Sequence, residues 1–333
     1  MDDRLARGEL SLRQLAHFVA VAEEGTISAA AERLFMSQSA LSASVTELER
    51  ALCADLLVRR RAQGVSLTPT GRLVLEKARH LLADGAELAH LVRGDGTDLV
   101  GPLVVGCFVT LAPTVLPKML ADFEELHPQV TMDFVEGPQD QLREALLAGE
   151  IDAAVLYDMG PLEELDRIVL YVARGYALFG EGHPLAGRET VTLEELADEP
   201  LILFDQPPST DYAMSCFRAR GLVPSVRHRT HSHELTRSIV ARGRSYAILV
   251  QRPPNKLSYE GLPILEKKVE PPLPTCPVIL AWPRDRRPSP RVRALVELAR
   301  RQYGGLMPAT LRAPDDAGPP AGVPRCGGVR PGS

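Results

Sequence analysis

The chain has 333 residues, of which 45% are hydrophobic and 24% charged, and carries a net charge of −5. That length suggests two or three domains, and the composition is that of a soluble globular protein. The longest apolar runs, LILF and VVGCFV, fall far short of the ~20 residues that cross a bilayer, and the charged opening MDDRLARGEL lacks the apolar core of a secretory signal.

Ser11 reads as the N-cap of a first helix whose apolar face is Leu12, Leu15, Phe18, Val19 and Ala22, with Gly25 ending it. Ser28 reads as the cap of a second helix, AAAERLF. A tight break at Phe35-Met36-Ser37 leads to a third, capped by Ser37 and running from Gln38 to about Leu52. Leu41, Val45, Leu48 and Leu52 share one stripe of that helix. Ser39, Ala43, Thr46 and Arg50 face away from it, with Gln38 and Ser42 on the flank.

The outward face is short, hydrogen-bonding and mostly uncharged. A helix lying in a DNA major groove needs small side chains and a few donors and acceptors for base edges. Gln38 can bond adenine bidentately, and a helix start capped by Ser37 suits a phosphate. A Ser-rich surface on an ordinary three-helix domain satisfies the same pattern, so both readings stay open at this point.

Residues 56–68, LLVRRRAQGVSLT, read as strand, turn and strand, with Gln63-Gly64 at the turn. A hairpin tipped by Arg59, Arg60 and Arg61 can lay guanidinium groups along phosphates. The whole stretch 55–80 is basic, with Arg72, Lys77 and Arg79 against Asp55 and Glu76. Thr68-Pro69-Thr70-Gly71 then opens a long helix, about 71–93. Its Val74, Ala78, Leu81, Gly85, Leu88 and Val92 follow heptad spacing. The stripe fits a dimerising linker or a helix packed on its own domain.

Taken together, the run LRQLAHFVAVAEEGTISAAAERLFMSQSALSASVTELERAL followed by LLVRRRAQGVSLTPTG resembles the winged helix-turn-helix of LysR-type transcriptional regulators. The matching landmarks are the LxxLxxFxxVAExG start, AAxxL, SQSALS, the LE near the helix end and LTPTG. The resemblance implies DNA contacts from Ser37, Gln38, Ser39, Ser42, Thr46, Arg50, Arg59, Arg60, Arg61 and Thr68. The family usually carries longer polar residues after the serine matching Ser42. Here Ala43 and Ser44 stand there, which leaves more to Gln38, Ser39, Ser42 and the wing.

Gly94 to Asp98 reads as a hinge. Strands and helices then alternate: strands at 103–109, 130–136 and 152–157, with helices at 112–126 and 139–147 between them. The pattern repeats with strands at 176–180, 201–205, 225–230 and 246–251, helices from Ser209 to about Arg220 and at 233–242, a strand at 277–283 and a helix at 290–303. Two α/β lobes with a return crossing resemble the periplasmic-binding-protein-like effector domain of the same family. The fold expected is therefore α/β with an N-terminal winged helix-turn-helix. Its domains are 1–70 (DNA binding), 71–95 (linker helix), 96–305 (effector domain) and 306–333 (a disordered, Gly- and Pro-rich tail).

In such a fold the ligand sits beyond the carboxyl ends of the strands. That singles out Thr110 and Leu111, Ser209 and Thr210, and His231, Ser232 and His233, each pair or triplet at a helix start suited to a small oxyanion. A plain N-cap is the competing role for each. His228, His231 and His233 form HxxHxH, but no carboxylate or cysteine cluster beyond Glu234 supports a metal there. Peroxide sensing needs a reactive cysteine. Cys216, in the interior of the helix opened by Ser209, lacks a nearby resolving partner, and Cys53, Cys107 and Cys276 read as core residues. Cys326 falls in the tail. No GxSxG, HExxH, Walker or GxGxxG pattern is present, and Asp152 reads as structural. The expectation is a cytoplasmic, non-enzymatic regulator without cofactor or metal. It would act as a homo-oligomer, a tetramer built as a dimer of dimers, that binds double-stranded promoter DNA under control of a small, anionic effector.

Overall fold

A computed structural model describes residues 10–60, 64–93 and 99–304. Arg61, Gln63, the expected hinge 94–98 and the expected tail 306–333 with Cys326 lie outside these residues.

Three helices come first: α1 (Leu12–Glu24), α2 (Ile27–Arg33) and α3 (Gln38–Leu52). Ser11 caps α1 in a reciprocal capping box with Gln14, and Gly25 closes it at φ 67°. The cap of α2 is Thr26, not Ser28. Thr26 is extended and its hydroxyl accepts the Ala29 amide at 3.2 Å, which places Ser28 inside the first turn. Ser37 caps α3 as expected, accepting the Ala40 amide at 3.2 Å. Leu15, Phe18, Val19, Leu41, Val45 and Leu48 interlock in one core. Phe35 and Cys53 take left-handed conformations at φ 53° and 52°. Such a conformation costs a non-glycine residue about 1–2 kcal/mol.

A hairpin follows, β1 (Leu57–Arg60) paired antiparallel with β2 (Gly64–Leu67). The long helix α4 (Pro69–Arg93) comes next. Its heptad stripe is not a free seam: Ala78 is buried in the N-terminal core, and Val74, Leu75 and Leu82 pack against that core. A Cβ on Gly85 would stand 3.2 Å from Leu12, so this position also faces α1. Leu81 instead lines a cleft of about 330 Å³ between α4 and the following domain. The Lys77 ammonium donates into that domain, to the Ala148 carbonyl.

That domain has two lobes. The first begins with β3 (Gly101–Phe108), α5 (Ala112–Leu126), β4 (Val130–Gly137), α6 (Gln139–Ala148), β5 (Ala153–Tyr157) and β6 (Leu165–Arg174). The second holds β7 (Tyr176–Gly180), β8 (Thr190–Val191), α7 (Leu193–Ala197), β9 (Leu201–Phe204) and α8 (Ser209–Arg218). It continues with β10 (Val226–Thr230), α9 (His233–Ala241), β11 (Tyr246–Leu249) and β12 (Ile264–Val269). The chain then returns to the first lobe as β13 (Thr275–Pro283) and α10 (Pro290–Tyr303). The sheet orders are β4-β3-β5-β13-β6 and β10-β9-β11-β7-β12-β8. Each sheet is mixed: β3 runs parallel to β4 and β5, while β13 runs antiparallel to β5 and β6. The apolar pattern does not announce β6, β8, β12 or α7, because their faces are largely half-buried or very short.

The two crossings between lobes meet at one side chain. The Tyr212 hydroxyl, from α8, accepts the Gly175 amide at 3.1 Å and donates to the Pro274 carbonyl at 2.7 Å. A Cβ on Gly175 would lie 2.7 Å from that oxygen, so the crossing strand needs glycine there. Tyr212→Phe leaves the buried Gly175 amide without its partner, a loss of about 1–3 kcal/mol. Thermal unfolding of the full chain checks this, and an unchanged Tm would contradict the role given to the phenol.

Candidate functional site

On α3 the residues Ser37, Gln38, Ser39, Ala43, Thr46 and Arg50 are exposed and Ser42 is half-exposed. One surface therefore carries most of the residues the sequence singles out. The Ser37 hydroxyl is engaged as the cap and lies 3.2 Å from that of Ser39. Thr46 donates back to the Ser42 carbonyl at 2.9 Å. Ser44 turns inward, bonding His17 Nδ1 at 2.7 Å. Burial first, and nearby Arg13 second, hold the His17 imidazole below its ordinary range, so it is neutral where it receives α3.

The hairpin is tied to this helix by Glu49. One carboxylate oxygen accepts the amides of Leu56 and Leu57, at 2.9 and 3.1 Å, fixing the root of β1 to the last turns of α3. At the far root, Leu56 O accepts the Thr68 amide at 3.0 Å. A Cβ on Gly71 would fall 2.0 Å from Leu56 O, so the motif LTPTG closes here for steric reasons. The Thr68 hydroxyl donates to the Asp55 carbonyl and accepts the Gly71 amide, both at 2.8 Å. That makes it the clasp that starts α4, with its hydroxyl used inside the fold. Arg59 and Arg60 stand on β1 opposite Val65 and Gly64, at the tip end of the hairpin. The rest of the basic stretch is diverted. Arg79 pairs with Glu23 at 3.0 Å, Arg72 donates to Leu67 O at 3.3 Å, and Lys77 holds the second domain.

In the two lobes the residues singled out are not equivalent. Thr110 is buried with its hydroxyl 3.4 Å from that of Tyr157. Leu111 is a correction. Its side chain is fully buried in the core and its amide donates to Phe108 O at 2.8 Å, so neither faces a cleft. Ser232 caps α9, accepting the Leu235 amide at 3.2 Å. Ser209 is half-buried, with its amide donating to Gln206 O at 2.9 Å. Thr210 and His231 converge on Asp205, at the carboxyl end of β9. The Thr210 hydroxyl reaches Phe204 O at 3.2 Å and Asp205 Oδ1 at 3.3 Å, and the His231 ring bonds Asp205 O. His233 stands edge-on to Phe204 with ring centroids 6.0 Å apart, Nδ1 toward Glu234 and a buried Nε2 that lacks a hydrogen-bond partner among the described residues. Asp205, the hub of this group, is not marked by any sequence motif.

Comparison with known proteins decides the family. Residues 12–72 match the bacterial regulatory helix-turn-helix protein, lysR family, and residues 96–304 match the LysR substrate binding domain. The chain belongs to the LysR family of transcriptional regulators. It is similar to HinK, a LysR family transcriptional regulator from Pseudomonas aeruginosa, at 32% identity with a TM-score of 0.60, covering 89% of this chain and 99% of that one. The C-terminal domain of a probable LysR family regulator from Rhodococcus sp. RHA1 matches at 38% identity and TM-score 0.59, over 60% of this chain and 98% of that one. The DNA-binding transcriptional dual regulator OxyR of Escherichia coli is 29% identical over 242 residues, 72% of this chain and 79% of that protein.

As a LysR-type DNA-binding regulator with a substrate-binding domain, the chain has one feature the sequence reading missed. A cavity of about 460 Å³ lies at the lobe crossing, lined among others by Thr114, Tyr171, Arg174, Gln251, Arg252 and Tyr303. Gln251 bridges the lobes there: its amide donates to the Thr114 hydroxyl and its oxygen accepts from Tyr171 at 3.1 Å. Arg252 lies over the Tyr176 ring, 4.5 Å from its centroid. The only hint in sequence is Gln251-Arg252 directly after a buried strand. Among the described residues no helix is long and apolar enough to cross a membrane, and no three or more His, Cys, Asp or Glu side chains gather as metal ligands.

Glu49→Ala removes the acceptor of the Leu56 and Leu57 amides and should cost the N-terminal domain about 2 kcal/mol or more, whereas Glu49→Gln keeps an acceptor oxygen and most of the stability. Chemical denaturation of both variants checks this, and equal losses would contradict the clasp.

Proposed function

We propose that this chain binds promoter DNA sequence-specifically through α3 and the β1–β2 hairpin, and that a small anionic effector held between the two lobes modulates that binding. The observation that carries the DNA reading is the exposed, mostly uncharged and short-chain face of α3, fixed by Glu49 to an arginine-bearing hairpin. Gln38, Ser39 and Ser42, with Thr46 and Arg50 further along, would meet base edges and the groove wall. Ser37 would present the helix start to a phosphate, and Arg59, Arg60 and Arg61 would follow the backbone. Thr68 contributes by holding the hairpin root.

An anionic effector is supported by the crossing cavity, whose lining carries Arg174 and Arg252, the latter 3.8 Å from Glu266. The polar groups near the strand ends, Thr110, Ser209, Thr210, His231 and His233, would complete the cleft edges. Peroxide sensing by a cysteine is disfavoured. Burial raises the Cys216 thiol and pushes Cys276 up to about 12, so both stay protonated. The chain acts as a regulator and not an enzyme, in the cytoplasm, with residues 71–95 as the linker between the DNA-binding unit 1–70 and the effector unit 96–305. Dimerisation through the end of α4, with a dimer of dimers as the working form, remains part of the proposal. A two-fold assembly would give one modest helix the contacts that specific binding needs.

Two measurements test this. Arg60→Ala should weaken binding to all duplexes and reduce the log–log salt slope by about 1, while Gln38→Ala should relax preference at one base pair, worth about 1–3 kcal/mol. Unchanged specificity in Gln38→Ala would refute the base-reading role. In a thermal-shift screen, small carboxylates should raise Tm, with about 2.7 kcal/mol of stabilisation at 100 times Kd. The shift should be lost in Arg252→Ala. Stabilisation by neutral or cationic compounds alone would contradict an anionic effector.

A further inference from the structure

The turn between α2 and α3 closes in a Schellman arrangement. The Phe35 amide donates to Glu32 O at 3.1 Å and the Met36 amide to Ala31 O at 3.0 Å. This motif puts one residue in the left-handed conformation, a position favoured for glycine or asparagine. Here it is Phe35, at φ 53°. Its neighbours Leu34 and Met36 pack against the core, while the Phe35 side chain is 97% exposed. The fold therefore carries a strained backbone and a solvated aromatic ring at the same residue, and among the described residues the ring is not part of the N-terminal core. The position explains what could. Phe35 stands two residues before Ser37, the cap of α3, on the lip of the surface formed by Ser37, Gln38 and Ser39. When the start of such a helix enters a major groove, the preceding turn runs along the groove wall. That wall offers apolar surface: thymine methyl groups and the C–H faces of deoxyribose.

We propose that Phe35 is a DNA-contacting residue, its ring packing on thymine methyl or deoxyribose at the edge of the major groove. This rests on α3 being the helix that reads DNA. An apolar contact releases no phosphate counterions, so its signature differs from that of the wing arginines.

The test uses the full chain and a duplex selected by the parent protein from a random pool. Phe35→Asn suits the left-handed position, so it should keep or raise Tm while weakening binding about 10-fold at every salt concentration, with the salt slope unchanged. Replacing thymine by uracil in the duplex identifies the surface. If the methyl is the partner, the parent loses affinity and Phe35→Asn, already without the contact, loses none. If deoxyribose is the partner, both keep their difference. Equal binding by parent and Phe35→Asn overturns the proposal. So does a Phe35→Asn defect that sedimentation traces to a weakened dimer, since the ring would then serve a second copy. A parent that selects no sequence overturns the DNA-reading role of α3 itself, a result separate from the ring's failure.

Discussion

One carboxylate sets the geometry of the N-terminal surface. Glu49 gathers the Leu56 and Leu57 amides, so the hairpin cannot pivot against α3. Amides held by a charged acceptor are stronger than neutral pairs, and the two bonds come from consecutive residues, which fixes direction as well as distance. The close approach of Gly71 to Leu56 O and the Thr68 hydroxyl lock the other root. The helix face and the arginine strand thus form one rigid surface. Preorganisation of this kind lowers the ordering cost of binding.

The link from this surface to the effector domain is also physical. α4 begins at the hairpin root, packs Ala78 into the N-terminal core and sends Lys77 to the carbonyl end of α6. A cation at a helix C-terminus is favoured there, and Arg286 donates to the neighbouring Leu147 carbonyl at 3.1 Å. In the second domain, Tyr212 and Gln251 sit where the lobes join. A ligand that favours one lobe arrangement would shift the regulator only by its difference in affinity for the two arrangements.

Much of this was legible in the residues. Ser11, Gly25 and Ser37 mark helix ends because a hydroxyl acceptor or a left-handed glycine satisfies orphan backbone groups there. Thr26 was not legible against Ser28, since both are good caps and only the extended backbone at Thr26 brings its hydroxyl to the Ala29 amide. Leu111 failed as a site residue because the first turn of α5 is also where the first lobe closes its core. The second role of Thr68 was not legible either, because the partners of its hydroxyl, Asp55 O and the Gly71 amide, meet only at the hairpin root. The heptads of α4 misled in part: the same spacing serves a partner helix or the helix's own domain, and Val74 and Ala78 take the second use. The crossing cavity was invisible because Thr114, Tyr171, Arg174 and Gln251 come together only through the return of the chain between lobes.

The central claim is that α3 and its hairpin read DNA as a two-fold assembly. In vitro selection of random duplex DNA by the full chain tests it most directly. The account predicts enrichment of a partly palindromic sequence whose half-sites lie on one face of the duplex, about 10 bp or a multiple apart. Recovery of duplexes with no shared sequence above the input pool would contradict it.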